Sequence, residues 1–219
     1  MKRTCKLLIT CTVTLISLHC TSAAQYDFCQ PSPTGQMLYY QILPSQASAS
    51  GATTAYVRVS HPEKEWPYYA DNKPVGELAI PHTVENEGIS YEVVEVGENA
   101  FYRCDGLTGV RMSIQTIGTQ AFCGCTALKN MDLKFGLETV GEGAFAYCSS
   151  LTTLILPESV KHIGISAFAM CEGLQSVHMT LGAERLCDEL TFLGSPLMQD
   201  RKNRKKLPSE QPDWVYWSF

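Results

Sequence analysis

Cysteine is the residue type with the most chemistry to offer in this sequence, because its thiolate acts as a nucleophile, a metal ligand or a disulfide partner. The chain has 219 residues, with 10 cysteines and 5 histidines. A cysteine hydrolase needs a thiol within reach of an imidazole base, and the sequence offers Cys29 with His61 or His82. There is no GxSxG, HExxH or phosphate-cradling glycine motif. We therefore expect a non-catalytic protein without a cofactor, with that hydrolase as an alternative.

The spacing of the cysteines does not predict a metal site. Four of them recur once per 21 to 23 residues, which is not the spacing of zinc ligands. The "CGC" at 123 to 125 lacks a second cysteine pair or a histidine pair. We expect the four recurring thiols to fill one column of the core as small apolar groups. That column is Cys104, Cys125, Cys148 and Cys171.

A complete disulfide framework is also not expected. Seven of the 10 cysteines follow residue 24, and seven cannot all pair. Thiols on stacked strands lie close enough for a disulfide, but their parallel direction does not suit its torsion of about 90°. The pairing of Cys29, Cys123 and Cys187 stays open.

Four segments of the chain repeat one pattern, with starts at Val96, Ile117, Val140 and Ile163. Each has Ile or Val, Gly, two variable residues, Ala, Phe, two variable residues, Cys, two variable residues and Leu. Each then ends in an alternating apolar pair, such as Leu154 and Leu156. The starts are 21, 23 and 23 residues apart. A period in this range is typical of leucine-rich repeats.

Each column of the pattern has an expected physical role. The final apolar pair predicts a short strand with every second side chain directed inward. The glycines suit a tight turn with positive φ, and they are Gly97, Gly118, Gly141 and Gly164. The phenylalanines are expected to stack as a buried spine, and they are Phe101, Phe122, Phe145 and Phe168.

The segment "VGEGAFAYCSSLTTLILPESVKHIG", from Val140 to Gly164, resembles the BspA-like class of bacterial leucine-rich repeats. The segment from Gly76 to Phe101 is similar to the usual entry to that repeat, with a hairpin turning near "NEG". The resemblance covers residues 76–180 and implies a β-rich, right-handed solenoid with four clear repeats. It also implies a secreted or surface protein of a bacterium that acts in adhesion or partner binding, without a catalytic residue.

The first 24 residues have the features of a secretory signal peptide. Lys2, Arg3 and Lys6 form a basic start, residues 7–18 are apolar, and small residues at 22–24 suit cleavage before Gln25. The apolar run is shorter than the roughly 20 residues of a membrane-spanning helix. We therefore expect a secreted or cell-surface protein with no membrane span after the leader is removed.

The segments on either side of the repeat have to cover its apolar ends. We expect residues 25–75 to form an N-terminal β cap, with an exposed loop in "SHPEKEWPYYADNKP". Residues 76–180 form the solenoid, and residues 201–219 are a polar and aromatic tail whose last stretch packs back, stays disordered or docks to a partner.

Two readings stay open for residues 181–200. As a decayed fifth repeat with a 23-residue spacing, Cys187 takes the Gly position, Leu190 the Ala position, Thr191 the Phe position and Gly194 the Cys position. As a capping helix, the segment instead presents one apolar face through Leu186, Leu190 and Leu193.

The predicted strands direct a set of side chains outward, which makes their face the candidate binding surface. The set is Arg111, Asp132, Ile155, His178, Asn130, Thr153 and Ser176. Four strands give on the order of 250 Å², against about 800 Å² per partner in a standard interface. We expect weak binding of a protein or glycan ligand, strengthened by the N-terminal cap or by multivalent display. A purely structural spacer in a cell envelope is the alternative.

Charge disfavours nucleic acid as a partner. Without the leader's three basic residues, 14 Lys and Arg stand against 22 Asp and Glu, a net charge of −8. The "RKNRKK" run at 201–206 is either a solvated tail or a contact for an anionic surface.

Overall fold

The computed structural model describes residues 4–5, 18–19, 26–44, 46–47, 53–63, 67–69, 72–133, 136–180, 183–199 and 214–217. In the predicted leader it describes β1 (Thr4–Cys5) and β2 (Leu18–His19), which pair antiparallel. The apolar run between them and the basic run at 201–206 lie outside the described residues. No helix in these ranges is long and apolar enough to cross a membrane.

The N-terminal part is an antiparallel sheet joined to the repeat region. Its strands are β3 (Phe28–Pro31), β4 (Met37–Ile42), β5 (Gln46–Ala47) and β6 (Thr53–Ser60). Strands β3, β4 and β6 pair antiparallel in that order, and β5 pairs with β6.

The segment that enters the repeat consists of β7 (Gly76–Ala79), β8 (Thr83–Asn86) and β9 (Ile89–Val96). Strands β8 and β9 form the predicted hairpin, which turns at Glu87 and Gly88, both with positive φ. Strand β9 also runs parallel to β6 and so connects the two parts of the molecule.

Each repeat unit contributes a long strand and a short strand. The long strands are β10 (Leu107–Met112), β12 (Asn130–Leu133), β14 (Thr153–Ile155) and β16 (Ser176–Thr180). The short strands are β11 (Thr116–Ile117), β13 (Thr139–Val140) and β15 (His162–Ile163). The short strands continue in parallel from β9 through β11 and β13 to β15.

The long strands form two sheets, where the sequence predicted one face of four strands. Strands β7, β10 and β12 pair in parallel, as do β14 and β16. In the part of the chain that the structure describes, β12 and β14 belong to different sheets. The predicted binding face is therefore divided between β12 and β14.

Backbone hydrogen bonds also join the turns of successive units. The N–H of Phe101 donates to the carbonyl of Ala121 at 2.7 Å, and Phe122 donates to Ala144 at 2.8 Å. Each of these turns has two residues with positive φ, four positions apart, and the non-glycine ones include Asn99, Arg103, Gln120, Tyr147, Ser166 and Met170. Every second N–H of a turn, such as those of Asn99, Phe101 and Arg103, donates to the next unit, so the units are bonded along the turns as well as along the strands.

The repeated glycines have a different role from the predicted one. Gly97, Gly118, Gly141 and Gly164 do not have positive φ. A Cβ on Gly141 would lie 2.5 Å from the carbonyl carbon of Gly118 and 2.6 Å from the nitrogen of Thr119. Glycine is needed because the backbones of successive units touch at this column.

The phenylalanine spine is longer than the repeat pattern indicated. Phe101, Phe122, Phe145 and Phe168 have no exposed surface, and successive rings stack with centroids 5.0 to 5.4 Å apart. Tyr69 stacks on Phe101 at 6.4 Å at one end, and its hydroxyl donates to the Ala100 carbonyl at 2.6 Å. Tyr69 belongs to the segment predicted as an exposed loop, but only 4% of it is exposed, so that prediction was wrong for this residue.

The buried thiols do more than fill space. Cys104, Cys125, Cys148 and Cys171 are free and fully buried. The Sγ–H of Cys125 donates to the carbonyl of Phe101 at 3.2 Å, and that of Cys148 donates to Phe122 at 3.3 Å. The thiols of Cys125, Cys148 and Cys171 therefore each bond to the preceding unit, a role that the sequence did not predict.

Residues 187–195 follow the repeat, but one residue later than the sequence alignment placed them. Phe192 stacks on Phe168 with centroids 5.7 Å apart. The N–H of Phe168 donates to Thr191 at 2.9 Å, as that of Phe145 does to Ala167. Thus Asp188, Thr191, Phe192 and Ser195 occupy the Gly, Ala, Phe and Cys positions, and the predicted assignment of Cys187, Leu190, Thr191 and Gly194 was wrong.

The predicted capping helix through Leu186, Leu190 and Leu193 does not form. The structure has a 3-10 helix at Ala183–Leu186 and α1 at Pro196–Gln199, with turns between them. Leu190 and Leu193 are 45% and 44% exposed. The stacking of Phe192 fixes the segment as a turn of the repeat rather than a helix.

The last strand is β17 (Trp214–Trp217), which pairs antiparallel with β16. Val177 lies opposite Trp217, and Thr180 lies opposite Trp214. The end of the tail therefore packs back against the repeat, at the edge where a following parallel strand would lie.

Candidate binding face

The long strands hold the predicted outward residues in register. Arg111 lies beside Asp132, and Ile155 lies beside His178. Between them the inward residues, such as Leu154 with no exposed surface and Val177 with 2%, pack in the core. This alternation fixes which side of each strand faces outward.

The half of the face on β10 and β12 is charged. Arg111 and Asn130 are exposed, and Asp132 is partly buried. Gly109 lies beside Asn130, and Arg111 lies beside Asp132. Opposite charges at neighbouring positions favour the pairing of the two strands. Because their signs are opposite, this half of the face has no large electrostatic potential of one sign.

The half on β14 and β16 carries polar and apolar side chains and no Asp, Glu, Lys or Arg at its outward positions. The hydroxyl of Ser176 donates to that of Thr153 at 3.1 Å. Beside them Ile155 is 57% exposed, and His178 is half-buried next to it. An exposed isoleucine between hydroxyls and an imidazole is suited to a ligand with both apolar and hydrogen-bonding surface.

The residues of the alternative hydrolase site have other partners. Cys29 on β3 is 6% exposed and pairs with Tyr39, which pairs with Ser60 on β6. His61 follows Ser60, so its backbone is about two strand spacings, roughly 10 Å, from that of Cys29.

Both candidate imidazoles of that site are engaged elsewhere. The Nδ1 of His61 is bonded to the Glu63 carbonyl, its ring packs on Tyr68 at 4.3 Å, and burial lowers its pKa. His82 is exposed and lies 3.8 Å from Glu92.

The buried thiols are not poised as nucleophiles or metal ligands. Burial raises the pKa of Cys104 and Cys171 from 9.0 to about 12, and those of Cys125 and Cys148 well above 9.0. A thiol must lose its proton to act in either role. Among the described residues, no group of three or more His, Cys, Asp or Glu side chains could hold a metal ion.

A cavity of about 280 Å³ lies under the last units, beside the edge of β16. Its walls include Leu156, Ile163, Met179 and Leu186, and Thr180 lines it as well. The Thr180 hydroxyl oxygen is buried and has no hydrogen-bond partner among the residues that the structure describes.

The sequence missed the contribution of the C-terminal strand to this face. Tyr216 lies opposite His178, and Trp214 lies opposite Thr180. The alternation in "WVYW" is a signal for a strand, but nothing in the sequence showed which strand it pairs with.

Successive parallel strands, a buried aromatic column and backbone contacts between units define a strand-rich repeat protein. Residues 84–197, just over half of the chain, match the model of the BspA type leucine rich repeat region in 6 copies. The chain belongs to the BspA-type leucine-rich repeat family. The resemblance found in the sequence is thereby confirmed, and the six copies extend beyond the four clear repeats predicted.

Solved structures of bacterial leucine-rich repeat proteins are similar to this chain. A Bacteroides ovatus protein has 23% identity and a TM-score of 0.53, over 69% of this chain and 41% of its own. A Bacteroides capillosus protein has 23% identity and a TM-score of 0.47, over 63% of this chain and 97% of its own. The pneumococcal vaccine antigen PcpA has 20% identity and a TM-score of 0.49, over 70% of this chain and 38% of its own. No curated protein matches the chain by sequence.

Proposed function

We propose that this protein is an exported, non-catalytic leucine-rich repeat solenoid that binds a protein or glycan ligand in an adhesin-like role. The binding surface is the outward face of β10, β12, β14 and β16. The observation that carries the proposal is the register of that face, which sets Arg111 beside Asp132 and Ile155 beside His178. Such repeated faces are the surfaces that stacked-repeat proteins use to bind partners.

The solenoid shape is supported by the contacts that neighbouring units make with each other. Short strands β9, β11, β13 and β15 pair in chain order, and the aromatic rings stack in the same order. Contacts of this kind support an arrangement of the units in single file, and a right-handed coil is the form that the family resemblance implies.

The proposed location is supported by the sequence and by the family. A basic start, an apolar run of residues 7–18 and small residues at 22–24 have the order of a secretory signal peptide. The BspA-type repeat is consistent with a bacterial protein that acts outside the cell or on its surface. We propose that the protein is secreted or held at the cell surface.

Binding by this face alone is expected to be weak. Its roughly 250 Å² is far below the 800 Å² or so that one partner buries in a standard interface. Several copies on one surface would raise the overall avidity without new contacts. A multivalent array of weak sites suits an adhesive role.

The test has two arms, export and binding. Cell fractionation should place the protein in the medium or on the surface, shortened by about 24 residues. Purified protein should then bind at least one member of a panel of immobilised matrix proteins and glycans. The substitutions Arg111→Ala or Ile155→Ala should weaken that binding, while Lys161→Ala, in a surface ion pair with Glu138, should not.

Each arm can fail separately. A protein retained in the cytoplasm contradicts the export, and equal effects of the three substitutions contradict the face. Absence of any ligand favours a structural spacer. Thiol labelling of Cys29 in the folded protein, with loss of an enzymatic activity, would instead support the hydrolase.

A further inference from the structure

The C-terminal strand continues the outward face beyond β16. Strand β17 pairs antiparallel with β16, with His178 opposite Tyr216 and Thr180 opposite Trp214. Directly opposite residues of an antiparallel pair lie on the same side of the sheet. Val177 and Met179, each 2% exposed, mark the inward side of β16. Tyr216 and Trp214 therefore occupy outward register positions, and Val215 and Trp217 occupy inward ones.

This end of the face differs in charge from the other end. Arg111 and Asp132 lie on β10 and β12, but the outward residues of β14 and β16 include no Asp, Glu, Lys or Arg. These outward residues are Thr153, Ile155, Ser176, His178 and Thr180. Charge complementarity therefore does not favour a charged ligand at this end of the face.

The outward positions of the three strands form rows. One row holds Ile155, His178 and Tyr216, because Ile155 pairs with His178 and His178 pairs with Tyr216. With about 4.8 Å between strands, this row spans about 10 Å, and the neighbouring rows lie about 7 Å away along the strands. Thr153 and Ser176 belong to the row on one side, and Trp214 belongs to the row on the other.

We propose that Thr153, Ile155, Ser176, His178, Trp214 and Tyr216 form a binding strip for a neutral glycan. This inference rests on the proposed function and names its ligand class. A sugar ring has apolar C–H faces, which pack on isoleucine and aromatic residues, and hydroxyls, which pair with Ser, Thr and His side chains. Aromatic residues with a few polar groups are the usual composition of a site for a small ligand.

An anionic polysaccharide is disfavoured at this strip. Its binding would need clustered basic residues, and the outward positions of β14, β16 and β17 include no Lys or Arg. The pair of Arg111 and Asp132, in the separate sheet of β10 and β12, provides no excess positive charge.

The experiment measures binding of the purified full chain to neutral oligosaccharides of glucose, galactose and mannose, and to heparin as the charged probe. The double variant Trp214→Thr and Tyr216→Thr removes both rings and keeps strand propensity, because Thr is favoured in strands. We expect at least a tenfold loss of affinity for the neutral sugar. The matched control Lys161→Ala, which removes a surface ion pair with Glu138, should change that affinity less than twofold.

A second measurement does not depend on the double variant. The chain has 3 tryptophans, so Trp66→Phe with Trp217→Phe leaves Trp214 as the single fluorescent reporter. We expect a saturable change in its emission on titration with the neutral oligosaccharide and none with heparin.

The outcomes separate this inference from the proposed function. Binding of matrix proteins but of no neutral glycan overturns the glycan strip and leaves the binding function standing. Binding of a neutral glycan with equal losses in the Lys161→Ala and double variants places the site elsewhere, and also overturns the strip. Binding of neither class overturns both.

Discussion

The rings of Phe122 and Phe145 lie parallel, with their centroids 5.2 Å apart and their planes inclined by only 2°. Neither side chain has exposed surface. Because equivalent rings of successive units repeat this geometry, each phenylalanine contacts one ring before it and one after it. The stack is therefore a continuous part of the core through all of the repeat.

Truncation of an inner ring should destabilise the protein strongly. We expect Phe145→Ala to lower the free energy of unfolding by about 3 to 5 kcal/mol, because it removes buried area and leaves a cavity. Tyr147→Ala is the control, since Tyr147 lies two residues further along the same turn and is 55% exposed. Urea unfolding measures both. Similar losses in the two variants would contradict a sealed stack.

The glycine column should not tolerate alanine. A Cβ at position 141 would meet the backbone of Gly118 and Thr119, which cannot move without displacing the neighbouring unit. We expect Gly141→Ala to cost about 1 to 3 kcal/mol or more in unfolding free energy. At Gly109 the atoms nearest to such a Cβ are those of the flexible carboxylate of Glu77, so Gly109→Ala should cost much less. A reversed order would refute close backbone contact as the reason for the column.

The buried thiols should make stability fall at alkaline pH. Burial raises the pKa of Cys104 and Cys171 from 9.0 to about 12, whereas the same thiols ionise near pH 9 in the unfolded chain. The unfolded chain therefore holds fewer protons above pH 9, so the stabilisation is complete below pH 9 and is lost as pH rises toward 12. Each such thiol lowers the unfolding free energy by up to about 1.4 kcal/mol per pH unit in this window.

The measurement is urea unfolding at about pH 8 and about pH 10. Cys171→Ala removes one titrating thiol and should reduce the loss between the two pH values, although it lowers stability at both. An identical pH dependence in this variant and the wild type would show that the thiols do not control it.

Asp188 should stabilise the last unit by capping its turn. Its Oδ1 accepts hydrogen bonds from the Leu190 N–H at 2.9 Å and from the Thr191 hydroxyl at 2.7 Å. In inner units the equivalent N–H, such as that of Gln120, donates to the following unit instead. We expect Asp188→Ala to cost about 1 to 3 kcal/mol and to speed hydrogen exchange at Leu190. Asp188→Asn keeps an acceptor and should lose less, and unchanged exchange in Asp188→Ala would contradict the cap.

The repeat itself could be predicted because its side chains recur at a fixed spacing. Phe101, Phe122, Phe145 and Phe168 are recognisable from the sequence, and the pairing of equivalent strands follows from the same alignment. Burial of the rings could also be predicted, because equivalent residues contact each other when the units stack. The hairpin of β8 and β9 was also predictable, from the turn signal at Glu87 and Gly88.

Features that depend on contacts between units could not be predicted from the sequence. The glycine column was assigned to positive φ, but residues such as Asn99 and Tyr147 adopt that conformation, and the glycines lie at backbone contacts. In the fifth unit a 24-residue spacing, from Ile163 to Cys187, replaces the 23-residue spacing before it. A fixed 23-residue period therefore assigned Thr191, instead of Phe192, to the phenylalanine position of the repeat.

Contacts between distant segments of the chain were also out of reach. Tyr69 ends the aromatic stack from a segment without any repeat pattern, and β17 pairs with β16 across residues with no such signal. Pairing of this kind depends on which strand edge is available in the folded molecule. The division of the face between β12 and β14 could not be predicted either, because the sequences of the repeat units match at the same positions of the pattern.

Because each unit makes the same backbone contact at the glycine column, one unit can take the place of another. Excision of residues 140–162 would join Thr139 to Ile163, and Ile163 would then fill the position that Val140 occupies beside Ile117. Every ring, thiol and glycine of the shortened chain would still find an equivalent neighbour. Genes for such proteins can thus gain or lose whole units, and the length of the molecule can evolve while its cross-section stays constant.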